Sequence, residues 1–146
     1  MNLSKNCKIT VVAAAAVAAT TDVTTDVLDM SGYDGVMFIA LTGDVTSGSK
    51  LTLTAKANSA NSTSSPTPVT QKATTEVTAG ATDSDSKAIV VDVYKPTLRY
   101  VFAVLARTTQ NAVVGGVIAI QYKAKAKPTT QDATVIASAF GVGLAS

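Results

Sequence analysis

The side chains able to do chemistry in this chain are few and scattered. Its 146 residues include no histidine, one cysteine (Cys7) and, among ten acidic residues, a single glutamate (Glu76). Without histidine neither a Ser-His nor a Cys-His nucleophile pair can be assembled, and a zinc site loses its usual nitrogen ligand. Asp83 and Asp85, within Ala79–Ser86 (AGATDSDS), come nearest to a ligand cluster. A calcium loop gathers six or more oxygens and, in the EF-hand, closes with an acidic residue downstream. Here Lys87 follows, so the segment reads as a solvated loop. Asp92 and Arg99 flank Pro96, where they are expected to form a structural ion pair. No Gly-rich phosphate loop, nucleophile elbow, heptad or internal repeat is present. The residues therefore predict no enzyme, no metal and no cofactor. Cys7 alone can form no intrachain disulfide and reads as a small buried thiol.

The basic residues are better organised. Lys123, Lys125 and Lys127 alternate with alanines. On a strand they would project to one side as a positive stripe, either guarding a sheet edge against aggregation or facing an acidic partner. The net charge is only +2, aromatic residues are 5% of the chain and tryptophan is absent. That leaves neither the electrostatic footprint nor the stacking surface a nucleic-acid partner requires. From Pro128 to Ser146 (PTTQDATVIASAFGVGLAS) the chain is small, partly apolar and without the pattern of a packed helix. Val135, Ile136 and Phe140 exposed on a monomer would be a liability, so this tail is expected to dock on a neighbour.

The elements that position these residues read as strands. Lys87–Ala126 holds most of the large apolar side chains and is read as a three-stranded antiparallel meander: Ala88–Tyr94, Leu98–Ala106 and Val113–Tyr122. The breaks fall at Lys95-Pro96-Thr97, where proline lacks a donor, and at Thr108–Asn111. Leu98–Ala106 is apolar at odd and even positions alike, which predicts cover on both faces. Gly115-Gly116 predicts a bulge. Upstream, Asp26–Met30 and Val36–Leu41 read as strands, and Lys50–Asn58 alternates Leu51, Leu53, Ala55 and Ala57 against Thr52, Thr54 and Lys56, as a strand with one wet face does. Thr20–Thr25 reads as a connector, Gly43–Gly48 as a turn, Ser59–Pro68 as a mobile low-complexity loop and Val69–Thr78 as one or two short edge strands.

Met1–Ala19 has two lysines, an apolar run and an Ala16-Val17-Ala18 triplet, the layout of a secretory leader. Val11, Val12, Val17 and the flanking threonines pull instead toward an extended arm or first strand. The apolar run falls well short of the ~20 residues of a membrane span. The chain is thus expected to be one all-β domain, an antiparallel β-sandwich or barrel at 20–127, with an arm or first strand at 1–19 and an arm at 128–146.

Three runs carry a resemblance: Asp92–Val101 (DVYKPTLRYV), Asn111–Tyr122 (NAVVGGVIAIQY) and Lys127–Thr134 (KPTTQDAT). With Asn2–Asn6 and Met30–Gly35, they resemble a family of small tailed-phage and prophage virion proteins of the head-decoration, or cement, type. The resemblance implies a jelly-roll or related sandwich forming dimers or trimers, placed on the outside of the head shell and bridging subunits of the major capsid protein. It also implies assembly in the bacterial host cytoplasm, without membrane or nucleic-acid partners; a Cys-poor chain suits that compartment. The residues expected to meet the capsid or a sister subunit are Leu3, Ile9, Lys123, Lys125, Lys127, Val135, Ile136 and Phe140. Two other readings remain open: a neck or tail subunit, and a secreted adhesive or carbohydrate-binding sandwich.

Overall fold

Strand β6 (Lys50–Asn58) shows the most direct passage from sequence to fold in the computed structural model, which describes residues 2–64 and 72–143. Leu51, Leu53, Ala55 and Ala57 are all buried, while Thr52, Thr54 and Lys56 stay partly exposed on the other face. Alternation at period two places one row in a core and the other in water. The remaining strands are β1 (Lys8–Ala13), β2 (Ala16–Ala19), β3 (Val23–Thr24), β4 (Leu28–Asp29), β5 (Gly35–Val45), β7 (Lys72–Ala73), β8 (Val77–Thr78), β9 (Ala88–Tyr94), β10 (Tyr100–Thr108) and β11 (Ala112–Tyr122). The one helical element among the described residues is a turn at Leu3–Asn6.

All pairings are antiparallel and form two sheets. The first runs β1-β11-β5-β9, with β2 also on β11; the second runs β3-β10-β6-β7, with β4 also on β10 and β8 also on β6. Joining each interrupted strand (β1 with β2, β3 with β4, β7 with β8) leaves eight. These pair first with last, second with seventh, third with sixth and fourth with fifth, the winding of a jelly roll. The two sheets remain open instead of closing into a barrel. Their facing sides enclose Phe38, Val36, Leu53, Leu105, Val101 and Val117, each at most 1% exposed.

The meander expected at Lys87–Ala126 does not form. Strands β9 and β11 lie in the first sheet, both flanking β5, and β10 lies in the second. Each short connection crosses from one sheet to the other; Lys95 and Thr109 turn the chain with φ of 51° and 73°. A hairpin and a sheet-to-sheet corner can be equally short, so connection length alone does not separate them. The apolar character of β10 has the expected consequence only in part. Val101, Ala103 and Leu105 enter the core and Phe102 is buried on the opposite side, but Tyr100, Val104 and Ala106 are half-buried.

Other expectations shift by a few residues. The supposed connector Thr20–Thr25 contains β3, and buried Thr25 accepts the Ala103 N–H on Oγ1 at 2.9 Å. Gly43 belongs to β5, which continues to Val45. The expected arm or first strand is chiefly a strand of the sandwich: within it β1 and β2 both pair with β11. Gly116 lies where the register between β11 and β5 slips, with φ of 128°, as the glycine pair suggested. Ser59–Ser64 is a series of bends held by the Asn58 amide, which donates to the carbonyls of Ser62 and Ser64. The rest of that loop lies outside the described residues, as do residues 69–71 of the stretch that then forms β7 and β8.

Candidate functional site

Strand β1 is an edge strand, and an edge presents unpaired N–H and C=O groups to any passing strand. Here residues 129–134 lie along that edge. Ile9 N–H donates to Gln131 Oε1 at 2.6 Å, and Gln131 Nε2 donates back to the Cys7 carbonyl at 2.8 Å and to the Ser4 carbonyl at 2.9 Å. One position along the ladder, Val11 N–H donates to Thr134 Oγ1 at 2.9 Å. Thr129 N–H donates to the Lys5 carbonyl and its hydroxyl to that of Cys7, each at 2.9 Å. Lys8 and Asp132 approach to 3.9 Å. The Asp132 carboxyl is held below its usual range chiefly by the Thr134 N–H, with Lys8 a lesser cause. The strap therefore satisfies the edge through side chains, without becoming a strand. Cys7, whose carbonyl the strap bonds, has a buried thiol that burial shifts upward.

Beyond the strap the chain leaves the sheet. Val135 is half-buried and closes a turn by donating its N–H to the Asp132 carbonyl at 2.9 Å. Ile136, Phe140 and Val142 are then 99%, 46% and 84% exposed. Of the residues expected at a partner surface, Ile9 sits under the strap, Leu3 is exposed in the helical turn before it, and Val135, Ile136 and Phe140 follow it. The start of the tail thus docks on its own chain, and the apolar part stays free.

The lysine stripe is not formed. Strand β11 ends at Tyr122, Lys123 adopts φ of 51°, and the alternation loses its meaning once the backbone leaves the ladder. Lys123 turns to Tyr94, donating to its hydroxyl at 3.2 Å with Nζ 5.0 Å from the ring centre. Lys125 is held by its backbone, whose N–H donates to the Gly32 carbonyl, and Lys127 precedes the strap. Edge protection passes from the lysines to Gln131 and Thr134.

Tyr94 is the centre of a charged aromatic cluster. Its ring lies parallel to that of Tyr122, 6.4 Å away, and Lys95 Nζ is 5.4 Å from its centre. Tyr122 donates to Asp92 Oδ1 at 2.6 Å. Burial, then that bond and the Asp92 charge, push the Tyr122 hydroxyl well above its ordinary value. The expected Asp92–Arg99 pair is consequently absent: Asp92 serves Tyr122, and Arg99 makes a two-pronged bond to Asp29 at 2.9 and 2.8 Å. Pairing across 70 residues of sequence could not be seen from the Pro96 turn alone. The Arg99 guanidinium holds the Asp29 carboxyl far below its usual range.

The acidic residues of the Ala79–Ser86 loop are engaged locally. Asp83 accepts the Gly80 N–H at 2.7 Å and Asp85 the Val45 N–H at 2.8 Å, so both fasten their own loop. Among the described residues no three His, Cys, Asp or Glu side chains gather as a metal site would require. A cleft of about 390 Å³ is lined by one carboxylate, Asp34, with the Tyr33 phenol and the cationic side chains of Lys95, Arg99 and Lys125 around it. Among the described residues no helix is long and apolar enough to cross a membrane.

Three residues central to the arrangement carried no signal of their role in the sequence. Gln131 and Thr134 lie in Lys127–Thr134, a run that carries the resemblance, but nothing there marks them as the anchor of the β1 edge. Arg107, 3% exposed, donates to the carbonyls of Thr21, Val17 and Ala112, and so ties the β2–β3 connection to the end of the core without any carboxylate. The fold and these contacts define a class, an open jelly-roll sandwich whose β1 edge is closed by its own C-terminal segment. No family model matches the chain, and no curated protein matches it in sequence.

Proposed function

We propose that this protein is a non-enzymatic virion subunit of the head-decoration type, which binds the outside of an assembled phage shell and bridges its major capsid subunits. It would act in the virion after assembly in the host cytoplasm, without cofactor, membrane or nucleic acid. The observation that carries this reading is the C-terminal segment, firmly anchored as far as Thr134 and presenting Ile136, Phe140 and Val142 to solvent beyond it. Apolar side chains held outward at the end of a fixed strap are contact surface waiting for a partner. The sequence resemblance in Asp92–Val101, Asn111–Tyr122 and Lys127–Thr134 supports the same role. So does the absence of convergent acid–base groups among the described residues.

A protein that binds only the assembled shell stabilises it by mass action, and many weak sites on one particle add up. The test is to mix the purified protein with shells that lack it, then follow co-sedimentation and the temperature at which the shells come apart. Binding with a raised disassembly temperature is expected, and removal of residues 135–146 should reduce both. Full-length protein that neither sediments with shells nor stabilises them would overturn the proposal.

A further inference from the structure

The two sheets differ sharply on their outer sides. Strand β6 turns Thr52, Thr54 and Lys56 outward from the second sheet, as a wet face should. The outward rows of the first sheet are different. One reads Ile9, Ile120, Met37 and Asp92 across β1, β11, β5 and β9; the next reads Val11, Ile118, Ile39 and Val90. Leu41 extends the face, and Asp92 is the one charge within these two rows. None of these aliphatic side chains belongs to the core cluster. Val11, Leu41 and Val90 are 37%, 40% and 44% exposed, and the others remain partly open. A face this apolar and continuous is a contact surface.

The tail supplies a matching occupant. Residues 135–143 (VIASAFGVG) carry no charge, and they leave the sheet at Thr134, bonded to the backbone of Val11 at the margin of this same face. Extended, nine residues reach ~30 Å, more than the ~15 Å across four strands. Yet the tail does not cover its own face, since Ile136 and Val142 stay open while Val11 and Val90 do too. Area decides between face-to-face pairing and exchange. Four strands over seven residues present roughly 400 Å², about half of the ~800 Å² per partner of a stable interface. Adding the apolar tail of each copy to its face closes that gap.

We propose that the outer face of the first sheet is the seat of the C-terminal segment of a second copy, exchanged reciprocally across a two-fold axis. The reciprocity makes the contact self-complementary and closed, which prevents open polymers. This dimer uses the same apolar tail on which the capsid reading rests: if it forms, the shell contact falls to other residues, and if it does not, the tail stays free for the shell.

The test is sedimentation equilibrium on the full chain, alongside Val90→Lys in the face and Ile136→Asp in the tail. Wild type is expected to dimerise, and each variant to shift the dissociation constant at least tenfold toward monomer. Ile136 is 99% exposed, so its substitution cannot act by unfolding the sandwich; circular dichroism checks the same for Val90→Lys. In the double variant Val90→Cys/Ile136→Cys, a disulfide between chains supports the exchange. A disulfide within one chain, a wild type monomeric at every concentration, or a dimer indifferent to either substitution would overturn it.

Discussion

The Gln131 side-chain amide stands where the peptide group of another strand would be: its oxygen accepts the Ile9 N–H at 2.6 Å and its nitrogen donates to the Cys7 carbonyl at 2.8 Å. One side chain thereby gives the β1 edge both halves of a ladder bond while leaving no backbone for a further strand to extend. Gln131→Ala should free the Ile9 N–H and the Ser4 carbonyl, while the Cys7 carbonyl keeps the Thr129 hydroxyl. A loss of about 1–3 kcal/mol is expected from groups left without partners, measured by denaturant unfolding, together with faster hydrogen exchange at Ile9. An Ile9 amide that exchanges as slowly as before would show that the strap does not depend on Gln131.

Gly35 lies between Tyr122 and Tyr94 in adjacent strands, and the Tyr122 ring covers it. A Cβ built on Gly35 would come within 2.3 Å of that ring. Gly35→Ala is expected to destabilise by about 1–3 kcal/mol through overpacking. Tyr122→Ala in the same chain should recover part of the loss, so the two substitutions will be non-additive in a double-mutant cycle.

Arg107 reaches three carbonyls from a buried position. Arg107→Met should cost about 2–4 kcal/mol, since hydrogen bonds from a charged donor are the stronger kind. Arg107→Lys should recover little, because an ammonium lacks the planar fork that spans the three acceptors. Thermal melts of the two variants check both statements.

Stability should fall on acidification. Asp29 and Asp132 have carboxyls lowered from the ordinary 3.8 in the folded chain. Their contribution is therefore complete above that value and is lost as the pH drops below it through the folded values. Asp29 is exposed and Asp132 partly so, and solvent screening keeps the effect modest. Asp29→Asn should flatten the acid limb of a stability–pH curve. At the alkaline end, Tyr122 ionises above its ordinary 10.0 in the fold, so stability is intact below that value and declines as the pH rises beyond it. Ultraviolet titration of phenolate should find one fewer late-ionising tyrosine in Tyr122→Phe.

How far the chain was legible depended on the range of the interaction. Local alternation in Lys50–Asn58 located β6 to the residue, because burial of one face writes itself at period two. Gly115-Gly116 marked its bulge, because only a residue without a Cβ tolerates that backbone. What failed was pairing over distance. The corners after Tyr94 and Thr108 looked like hairpins, although β10 belongs to the other sheet. The end of the third strand at Tyr122 was legible, but the alternation of Lys123, Lys125 and Lys127 beyond it looked like a further edge strand, where the backbone in fact leaves the ladder. Within the candidate site, the apolar residues of the tail could be found from composition. Their anchor could not, because Gln131 and Ile9 are 122 positions apart. The outward aliphatic rows of the first sheet escaped for the same reason: they exist only once β1, β11, β5 and β9 lie side by side.

Copy number in purified particles tests the central claim most directly. Quantitative mass spectrometry of virions, counting this chain against the major shell protein, should find it at a stoichiometry on the scale of the shell protein itself. A few copies per particle would contradict the shell-covering role and move the protein to the neck or tail. Its absence from particles would contradict a virion role altogether.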